Sequence, residues 1–456
     1  MAKKKQIELT IEEKLQNALV PKEEQPYKIP SNWCWSYWKY CGKFIAGNGF
    51  KNIYQGFTQY DIPYYKVGSL KFCDEGNYLI DETNTINEEI RTKLKAVKIP
   101  VNSIIFAKIG EAIKLNRRCL NKIECCIDNN LMAFISEKYF YKYIFYWTKS
   151  LNFYELTNAT TVPALRKTDL ENIPIPLPPL NEQQRIVNII ESLFAKLDRA
   201  KELIENTLAQ FEQNKMAILH KAFTGELTAK WRKENNIDLS SWKEKTIDEL
   251  CTSLKYGTSK KSNPEGSVVV LRMGNLQNGE IDWSNLMYTD DKDDIEKYLL
   301  KKGDVLFNRT NSPELVGKTS IYRGEYPAIY AGYLIKLDYG KDIIGEYLNY
   351  MMNSTKAKHY CYTVKTDGVS QSNINAKKIG AFEILVPTIE EQQEIVNILD
   401  NLLVKYNKIK NLEQQLEKIE LLKKAILAKA FRGELGTNNP DEESAENLLK
   451  EILAEK

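Results

Sequence analysis

Two groups of side chains in this 456-residue chain have the residue types for metal or redox chemistry. The acidic run Asp290–Asp294 suggests a cation site, but it lacks the alternating spacing and the glycine of a calcium-binding loop, so a solvated charged turn is the favoured interpretation. The eight cysteines include no Cys-x-x-Cys pair, and two histidines, His220 and His359, accompany them. We therefore predict no zinc site, and reduced, mostly buried thiols.

Sequence motifs of methyl-transfer and phosphate chemistry are missing from the chain. Neither Asn-Pro-Pro-Tyr nor Asp-Pro-Pro-Tyr, the signature of adenine amino-methyltransferases, occurs, and there is no Gly-x-x-x-x-Gly-Lys-Ser/Thr loop. The loop glycines around Asn48 and before Thr258 are by themselves weak evidence for phosphate binding. We predict no catalytic residue, no metal ligand and no cofactor of the chain's own.

The remaining candidates for function are polar and basic side chains in loops beside predicted strands. Arg and Lys can donate to guanine edges and Asn and Gln can pair with adenine, so we interpret these loops as a candidate DNA-contacting surface. For any single side chain the alternative is an ordinary solvated surface group. In the first half of the chain the candidates are Lys43, Asn48, Lys51, Lys66, Lys108, Lys114, Arg117 and Arg118. In the second half they are Thr258, Ser259, Lys260, Lys261, Arg272, Asn275, Arg309, Asn311, Lys318, Ser370 and Gln371.

The overall charge is nearly balanced, since 64 Lys plus Arg and 61 Asp plus Glu give a formal charge of +3. That balance excludes a strongly basic, histone-like binder, and any contact with nucleic acid must be local. Residues 25–165 contain 18 basic against 12 acidic residues, whereas residues 235–380 contain 20 against 19. Apolar runs are far shorter than the ~20 residues of a transmembrane helix, so we expect a cytoplasmic protein without membrane contact.

A long-period duplication organises the chain. Residues 182–193, which begin Glu-Gln-Gln, recur at 391–402 with eight of twelve positions identical, and residues 217–227 recur at 425–435 with nine of eleven identical. The regions in front of these motifs correspond more faintly, but two basic positions stay basic, Lys66 with Arg272 and Lys108 with Arg309.

Each duplicated segment reads as one long helix. Apolar residues follow a spacing of about 3.5 residues, a proline-containing stretch precedes the segment, and Gly225 or Gly433 follows it as a C-terminal cap. A helix of ~43 residues is about 65 Å long and cannot bury its apolar stripe alone. We therefore expect the two helices to pack together as an antiparallel coiled coil within one chain.

The predicted fold class is α+β, with two globular strand-rich domains joined by two long antiparallel coiled-coil helices in a pseudo-twofold internal repeat. The predicted segments are an N-terminal helical arm (1–24), a first strand-rich domain (25–178), a central long helix (179–230), a second strand-rich domain (231–387), a distal long helix (388–435) and a C-terminal tail helix (436–456).

Two similar domains on a rigid spacer suit a target with two separated subsites, and the expected separation is comparable to one turn of B-DNA, ~34–36 Å. With its Glu-Gln-Gln segments after proline-rich stretches and its Lys-Ala-Phe-x-Gly-Glu-Leu segments after each helix, the chain resembles the specificity subunit of type I restriction-modification enzymes. The resemblance extends over essentially the whole chain, including the arm and the tail.

The resemblance implies a non-catalytic subunit that reads a bipartite, asymmetric sequence in double-stranded DNA. It also implies two modification (M) subunits held on the helices and restriction (R) subunits held through them, in a complex that methylates adenine N6 and cleaves DNA. S-adenosylmethionine, ATP and Mg would then belong to the partner subunits. The alternative is a structural coiled-coil scaffold that bridges two partner subunits without reading DNA.

Overall fold

The computed structural model describes the backbone of residues 9–157, 162–407 and 410–455, and their side chains apart from residues 403–411. The chain divides into two compact units, the first formed by Met1–Glu202 with Gln415–Lys456 and the second by Leu203–Gln414. Each unit therefore combines one strand-rich domain with the beginning of one long helical segment and the end of the other.

The α-helices of the described residues follow in chain order. They are α1 (Ile11–Ala18), α2 (Glu88–Leu94), α3 (Tyr141–Ser150), α4 (Lys167–Glu171), α5 (Leu180–Phe223), α6 (Ala229–Glu234), α7 (Ile247–Leu250), α8 (Lys292–Tyr298), α9 (Gly345–Met352), α10 (Thr355–Val364), α11 (Ala376–Gly380), α12 (Ile389–Asn407), α13 (Lys410–Phe431) and α14 (Ala445–Ala454). None of them is long and apolar enough to span a bilayer.

The strands are short, and they are numbered in the same way. They are β1 (Cys34–Tyr37), β2 (Gly42–Ala46), β3 (Ile62–Tyr65), β4 (Thr85–Ile86), β5 (Ile104–Ala107), β6 (Arg118–Leu120), β7 (Cys126–Ile127), β8 (Leu131–Ser136), β9 (Pro174–Leu177), β10 (Lys243–Thr246), β11 (Cys251–Tyr256), β12 (Val268–Leu271), β13 (Leu276–Gln277), β14 (Glu280–Ile281), β15 (Tyr288–Thr289), β16 (Val305–Asn308), β17 (Thr310–Asn311), β18 (Thr319–Ile321), β19 (Ala328–Tyr330), β20 (Leu334–Tyr339), β21 (Thr366–Asp367), β22 (Ser372–Asn373) and β23 (Glu383–Val386).

The two domains repeat one sheet topology. The first has an antiparallel sheet in the order β2-β8-β5-β6, a mixed sheet β4-β3-β7 and a pair β1-β9. The second has β11-β20-β16-β18, β15-β12-β19 and β10-β23 in the corresponding places, and adds β13-β14 and β17-β22-β21. In both mixed sheets one pair is parallel, β3 with β7 and β12 with β19. The predicted internal repeat is confirmed at the level of strand order.

The core of each domain forms around the central strands. All four residues of β5 and all four of β16 are buried, as expected for strands covered on both faces. In the first domain Trp38 is fully buried, and its ring centroid lies 4.7 Å from that of Phe44 and 5.0 Å from those of Phe134 and Trp147. The aromatic residues of α3, Tyr143, Phe145, Tyr146 and Trp147, pack into this core.

The long helical segments are antiparallel where they pack together. Helix α5 has 44 residues, which gives a length of about 66 Å. In the first unit Lys423 lies 5.2 Å from the centre of the Phe194 ring, and Lys201 lies 3.6 Å from Glu420. Residue numbers rise along one helix as they fall along the other, so the coiled-coil prediction is confirmed.

The arm and the tail belong to the first unit, where α1 packs on α14. The Lys14 ammonium donates to the carbonyl of Leu453 at 3.4 Å, and the Ala445 amide donates to the carbonyl of Asn32 at 3.0 Å. The two ends of the described chain therefore pack on the same domain.

A buried carboxylate secures the beginning of each long helical segment. Glu391 is fully buried and accepts hydrogen bonds from the Trp242 indole at 2.9 Å, from the Thr228 hydroxyl at 2.6 Å and from the Arg232 guanidinium at 2.5 Å. One side chain thus joins the start of α12 to the second domain and to the segment that follows α5. Because burying an unpaired carboxylate is costly, the three donors are needed together.

The first unit repeats this arrangement with neutral donors. Glu182, also fully buried, accepts from the Trp33 indole at 2.8 Å, the Thr437 hydroxyl at 3.1 Å and the Asn438 amide at 3.0 Å. Trp33 and Trp242 are 209 positions apart, as are Glu182 and Glu391. The duplicated glutamate is therefore a packing residue that fixes a domain to the helices.

The next residue of the motif, Gln183 or Gln392, is buried as well and satisfies backbone groups. Gln183 accepts from the Phe140 amide at 3.1 Å and donates to the Pro178 carbonyl at 3.0 Å. Gln392 accepts from the Ile344 amide at 2.8 Å and donates to the Pro387 carbonyl at 3.0 Å. The Glu-Gln pair of the repeated motif therefore has the same structural role in both copies.

We expect Glu391→Ala to destabilise the second unit by about 3–5 kcal/mol, because it leaves the buried Arg232 guanidinium without its counter-charge. Urea unfolding of the full chain measures the effect. The control is Glu390→Ala, one residue away on the exposed surface, which should cost less than about 1 kcal/mol. Equal losses in the two variants would contradict a special role for the buried carboxylate.

Candidate nucleic-acid interface

In the first domain, three of the predicted residues meet at one turn between β7 and β8. The Asn48 amide donates to the Ile127 carbonyl at 3.0 Å, and the Lys108 amide donates to the Asn130 carbonyl at 2.9 Å. The Asp128 amide donates to the carbonyl of Tyr65, the residue before Lys66, at 3.0 Å. Asn48, Lys66 and Lys108, separated by up to 60 positions in sequence, thus follow strand ends that converge on residues 128–130.

The second domain brings the corresponding residues together around the turn 331–333. The Thr258 amide donates to the Tyr330 carbonyl at 2.9 Å, and the Arg309 amide donates to the Tyr333 carbonyl at 3.0 Å. The Ala331 amide donates to the carbonyl of Leu271, the residue before Arg272, at 2.9 Å. The faint pairing of Lys66 with Arg272 and of Lys108 with Arg309 is therefore a structural equivalence.

Close backbone approach at these turns requires a glycine in each domain. A Cβ atom at Gly47 would overlap the carbonyl oxygen of Asp128, and one at Gly257 would overlap that of Tyr330. Both glycines stand immediately before the polar residue of the turn, Asn48 or Thr258. Because nothing larger than hydrogen fits there, these glycines set the position of the following loop.

Arg309 connects four segments of the second domain. Its guanidinium donates to the Gly332 carbonyl at 3.3 Å and to the Asn373 side chain at 3.2 Å, and it lies 4.8 Å from the centre of the Tyr256 ring. The Arg309 Nε is buried and makes no hydrogen bond within the described structure. Half-buried and stacked on an aromatic ring, this guanidinium is held in one orientation.

Beside Arg309, β21 and β22 form a hairpin whose tip projects into solvent. Asn373 in β22 donates to the Thr310 hydroxyl at 2.7 Å, which attaches the hairpin to β17. Val369, Ser370 and Gln371 at the tip are exposed. The predicted residues Ser370 and Gln371 therefore stand free for contact with a partner.

The acidic run interacts with the same loop. Lys260 forms ion pairs with Asp291 at 2.7 Å and with Asp294 at 3.4 Å, and Thr258 donates to Asp294. The hydrogen bond with Lys260 lowers the pKa of Asp291 and raises that of Lys260. The expectation of a solvated turn was wrong for Asp294, which is buried in the first turn of α8 with Asp291 as the N-cap residue of that helix.

In the first domain the turn contains a buried acid. Burial raises the pKa of Asp128, and the nearby Lys66 ammonium acts in the opposite direction. The Lys66 ammonium also donates to the Gln55 side chain at 2.7 Å. An anion at this turn would therefore meet one carboxylate among the basic groups, whereas Ala331 stands at the corresponding place in the second domain.

Several predicted residues lie outside the two clusters or are occupied. Arg118 is buried, stacks 3.6 Å from the centre of the Phe153 ring and donates to backbone carbonyls, and Asn275 is buried and bonds three backbone groups. Lys43 pairs with Glu137 at 2.6 Å, Lys114 with Glu111 at 2.6 Å, and Lys318 donates to Gln277 at 2.8 Å.

The other predicted residues are available at the surface to different degrees. Asn311 is half-buried and accepts from the Ser312 amide at 2.8 Å. Those with exposed side chains are Lys51, Arg117, Ser259 and Lys261.

Sequence reasoning missed Tyr256 and Asn373, which orient Arg309, and the glycines that admit the turns. The signal for Gly47 and Gly257 was present, because both precede a polar residue in equivalent places of the repeat. No comparable signal marked Asn373, which reaches Arg309 only through the fold. In the described part of the chain, no group of three or more His, Cys, Asp or Glu side chains is arranged to hold a metal ion.

Comparison with known proteins decides the family. Residues 52–210 and 240–421 match the family described as the Type I restriction modification DNA specificity domain. The chain belongs to this family. Among its relatives, the EcoKI specificity subunit of Escherichia coli K12 is 30% identical over 315 residues, covering 66% of this chain and 68% of the relative. The StySPI specificity subunit of Salmonella potsdam is 29% identical over 335 residues, covering 69% and 71%.

Solved structures share the fold of this specificity subunit. A chain from a study of complex assembly and conformational transition in the type I R-M system aligns with a TM-score of 0.66 at 19% identity, covering 90% of this chain and 100% of that one. The HsdS subunit from Thermoanaerobacter tengcongensis aligns with a TM-score of 0.51 at 19% identity, with the same coverage. The specificity subunit thus has DNA target recognition as its function, and the strand-end clusters lie in its two recognition domains.

We expect Gly47→Ala and Gly257→Ala each to destabilise their domain by about 2–4 kcal/mol, because the new methyl group overlaps a backbone carbonyl that cannot move without breaking the turn. Chemical unfolding of the full specificity subunit measures this. Gly49→Ala and Gly274→Ala are matched controls with open space around the new atom, and each should cost less than about 1 kcal/mol. Controls as damaging as the test variants would refute the argument.

Proposed function

We propose that this specificity subunit reads a bipartite, asymmetric sequence in double-stranded DNA, with one recognition domain for each half. On its helices it holds two modification subunits and, through them, the restriction subunits. It contributes no catalytic residue, and S-adenosylmethionine, ATP and Mg belong to the partners. The assembled complex methylates adenine N6 and cleaves DNA in the cytoplasm.

The observation that carries this proposal is the duplicated cluster at the strand ends. Each domain gathers a polar residue and two basic residues around one turn: Asn48, Lys66 and Lys108 in the first domain, and Thr258, Arg272 and Arg309 in the second. Equal scaffolds with different side chains suit two different half-sites, since Asn pairs with adenine and Arg with guanine. A target read in this way is asymmetric.

The second cluster is the better ordered of the two. Arg309 is fixed by Tyr256, Gly332 and Asn373, and Arg272 donates to the Asn285 carbonyl at 2.8 Å. The Nε atoms of both arginines are buried without a partner in the described structure. Two guanidiniums held in fixed orientations supply the geometry that base recognition needs.

Exposed apolar residues on the helical segments support the proposed docking of modification subunits. Leu180 and Ile389 open α5 and α12, are 44% and 40% exposed, and stand 209 positions apart in the repeat. In α13, Leu421 and Leu422 are 63% and 50% exposed. The surface around Leu180 and Ile389 occurs once in each repeat, which suits two copies of the same partner.

A coiled-coil scaffold that does not read DNA is the alternative. It explains the helices and the exposed leucines equally well, but it gives no reason for an arginine, Arg309, held in one orientation beside a solvent-exposed hairpin. The two functions differ in what happens to the methylated sequence when a cluster residue changes.

We expect Arg309→Ala to weaken DNA binding by about 10- to 100-fold, corresponding to the loss of about 1–3 kcal/mol of base contact. For the complex with modification subunits, we measure the affinity for DNA and determine which DNA sequences are methylated at adenine. In the methylated DNA sequence, one half-site should lose its base specificity and the other half-site should keep it. The specificity subunit alone should transfer no methyl group.

The matched control is Lys341→Ala, which removes an exposed positive charge beyond the opposite end of β20, about 20 Å along the strand. It should leave the motif and the affinity unchanged. An Arg309 variant that methylates the original motif with the original affinity would favour the scaffold alternative.

We expect Leu180→Glu and Ile389→Glu each to release one of two modification subunits, because a charge replaces an apolar contact on one copy of the repeat. Native mass spectrometry of the assembled complex counts the subunits. Both substitutions add an acid to the first turn of a helix, where it is favourable, so folding should be preserved. Leu299→Glu, at a 47% exposed leucine in the second domain, is the control and should retain both subunits. Two bound subunits in both test variants would refute this docking surface.

A further inference from the structure

Two cysteines of the first domain lie in contact. Cys73 follows the 3-10 helix Val67–Lys71 and faces Cys119 in the middle of β6, with 2.7 Å between the two sulfurs. Backbone bonds keep the segments together: the Leu79 amide donates to the Leu120 carbonyl at 2.8 Å, and the Leu120 amide donates to the Asn77 carbonyl at 2.8 Å. The segment that follows Cys73 is therefore paired with β6 next to Cys119.

The surroundings distinguish the two thiols from each other. Cys73 is partly exposed, whereas Cys119 is 2% exposed and lies behind it. The hydrogen bond with Cys119 lowers the pKa of Cys73, and the Lys149 ammonium and the Arg117 guanidinium act in the same direction, against burial and the Asp74 carboxylate. An accessible sulfur with thiolate character in front of a second thiol is the arrangement found in redox-sensitive cysteine pairs.

The other cysteines lack this combination. Cys34, Cys41, Cys125, Cys126 and Cys361 are buried. Cys251 is partly exposed, but burial raises the pKa of its thiol to about 12, so it carries little thiolate. Reactivity toward an oxidant should therefore be concentrated at one position.

We propose that Cys73 and Cys119 are an oxidant-responsive pair that hydrogen peroxide converts into an intrachain disulfide. The Cys73 thiolate attacks one peroxide oxygen, the O–O bond breaks, and hydroxide leaves, which takes up a proton to give water. Cys73 is then a sulfenic acid. Cys119 attacks the Cys73 sulfur, an S–S bond forms, and the sulfenic oxygen leaves as a second water with the Cys119 proton. In total, two thiols are oxidised and one peroxide is reduced to two waters.

Disulfide formation requires only a local movement. The sulfurs must shorten their separation from 2.7 Å to the bond length of about 2.05 Å. The bond would tie the segment 73–79 to β6, two residues from the exposed Arg117. It closes a covalent loop between positions 46 apart in sequence, so the oxidised first domain should unfold at a higher denaturant concentration than the reduced one.

The test treats the full chain, in complex with its modification subunits, with hydrogen peroxide and then blocks free thiols with an alkylating reagent. Before alkylation, we expect the mass of the chain to fall by about 2 Da, the mass of two hydrogens. After alkylation and digestion, a peptide pair joined through Cys73 and Cys119 should appear. A thiol reductant should restore the original mass. Cys251→Ser should behave like the natural chain, whereas Cys119→Ser should stop at sulfenic acid or beyond and gain mass.

Other outcomes would overturn the proposal. A disulfide between other cysteines with Cys73 still alkylated, or the same mass loss in a Cys73→Ser variant, would show that the reactive pair lies elsewhere. Oxidation of Cys73 to sulfinic acid in the natural chain with Cys119 left as a thiol would show that Cys119 does not resolve the intermediate. Because both serine variants are near-isosteric, circular dichroism before treatment confirms that they fold.

Discussion

The structure depends on a carboxylate buried at the beginning of each long helical segment. Glu182 and Glu391 each bring together three parts of the chain that are far apart in sequence: the start of one long helix, a tryptophan that opens a recognition domain, and the segment after the other helix. A buried carboxylate is tolerated only when all its donors are in place, so this contact fixes one arrangement of the three segments. An apolar contact would allow the segments to slide past one another.

The two copies satisfy that constraint with different chemistry. The second copy has a guanidinium, Arg232, that pairs with the glutamate and also donates to the carbonyl of Gly225. The first copy has the amide of Asn438. Both copies thus retain the buried carboxylate and its position, while the side chains that donate to it differ. This is possible because the carboxylate needs only hydrogen-bond donors at the right distance.

With the domains fixed in this way, the strand ends can vary. The turn around Asp128 and the turn around Ala331 have the same backbone hydrogen bonds. Both depend on a glycine that lets two backbone segments come into contact. What changes between them is the side chains that emerge: lysines in one, arginines stacked or bonded to neighbours in the other.

The sequence by itself determined the duplication, the two long helical segments, the strand-rich character of each half and the equivalence of Lys108 with Arg309. These features are repeated or periodic along the chain, so they can be read without knowing what touches what. The sequence did not separate Arg118 from Lys108, since both are basic residues beside a strand. Only the tertiary structure decided that Arg118 is buried against Phe153, that Asn275 serves the backbone and that Asn373 orients Arg309. The physical reason is clearest for Arg118 and Arg309, whose hydrogen-bond partners Leu151 and Asn373 lie 33 and 64 positions away and approach only through the packing of the whole domain.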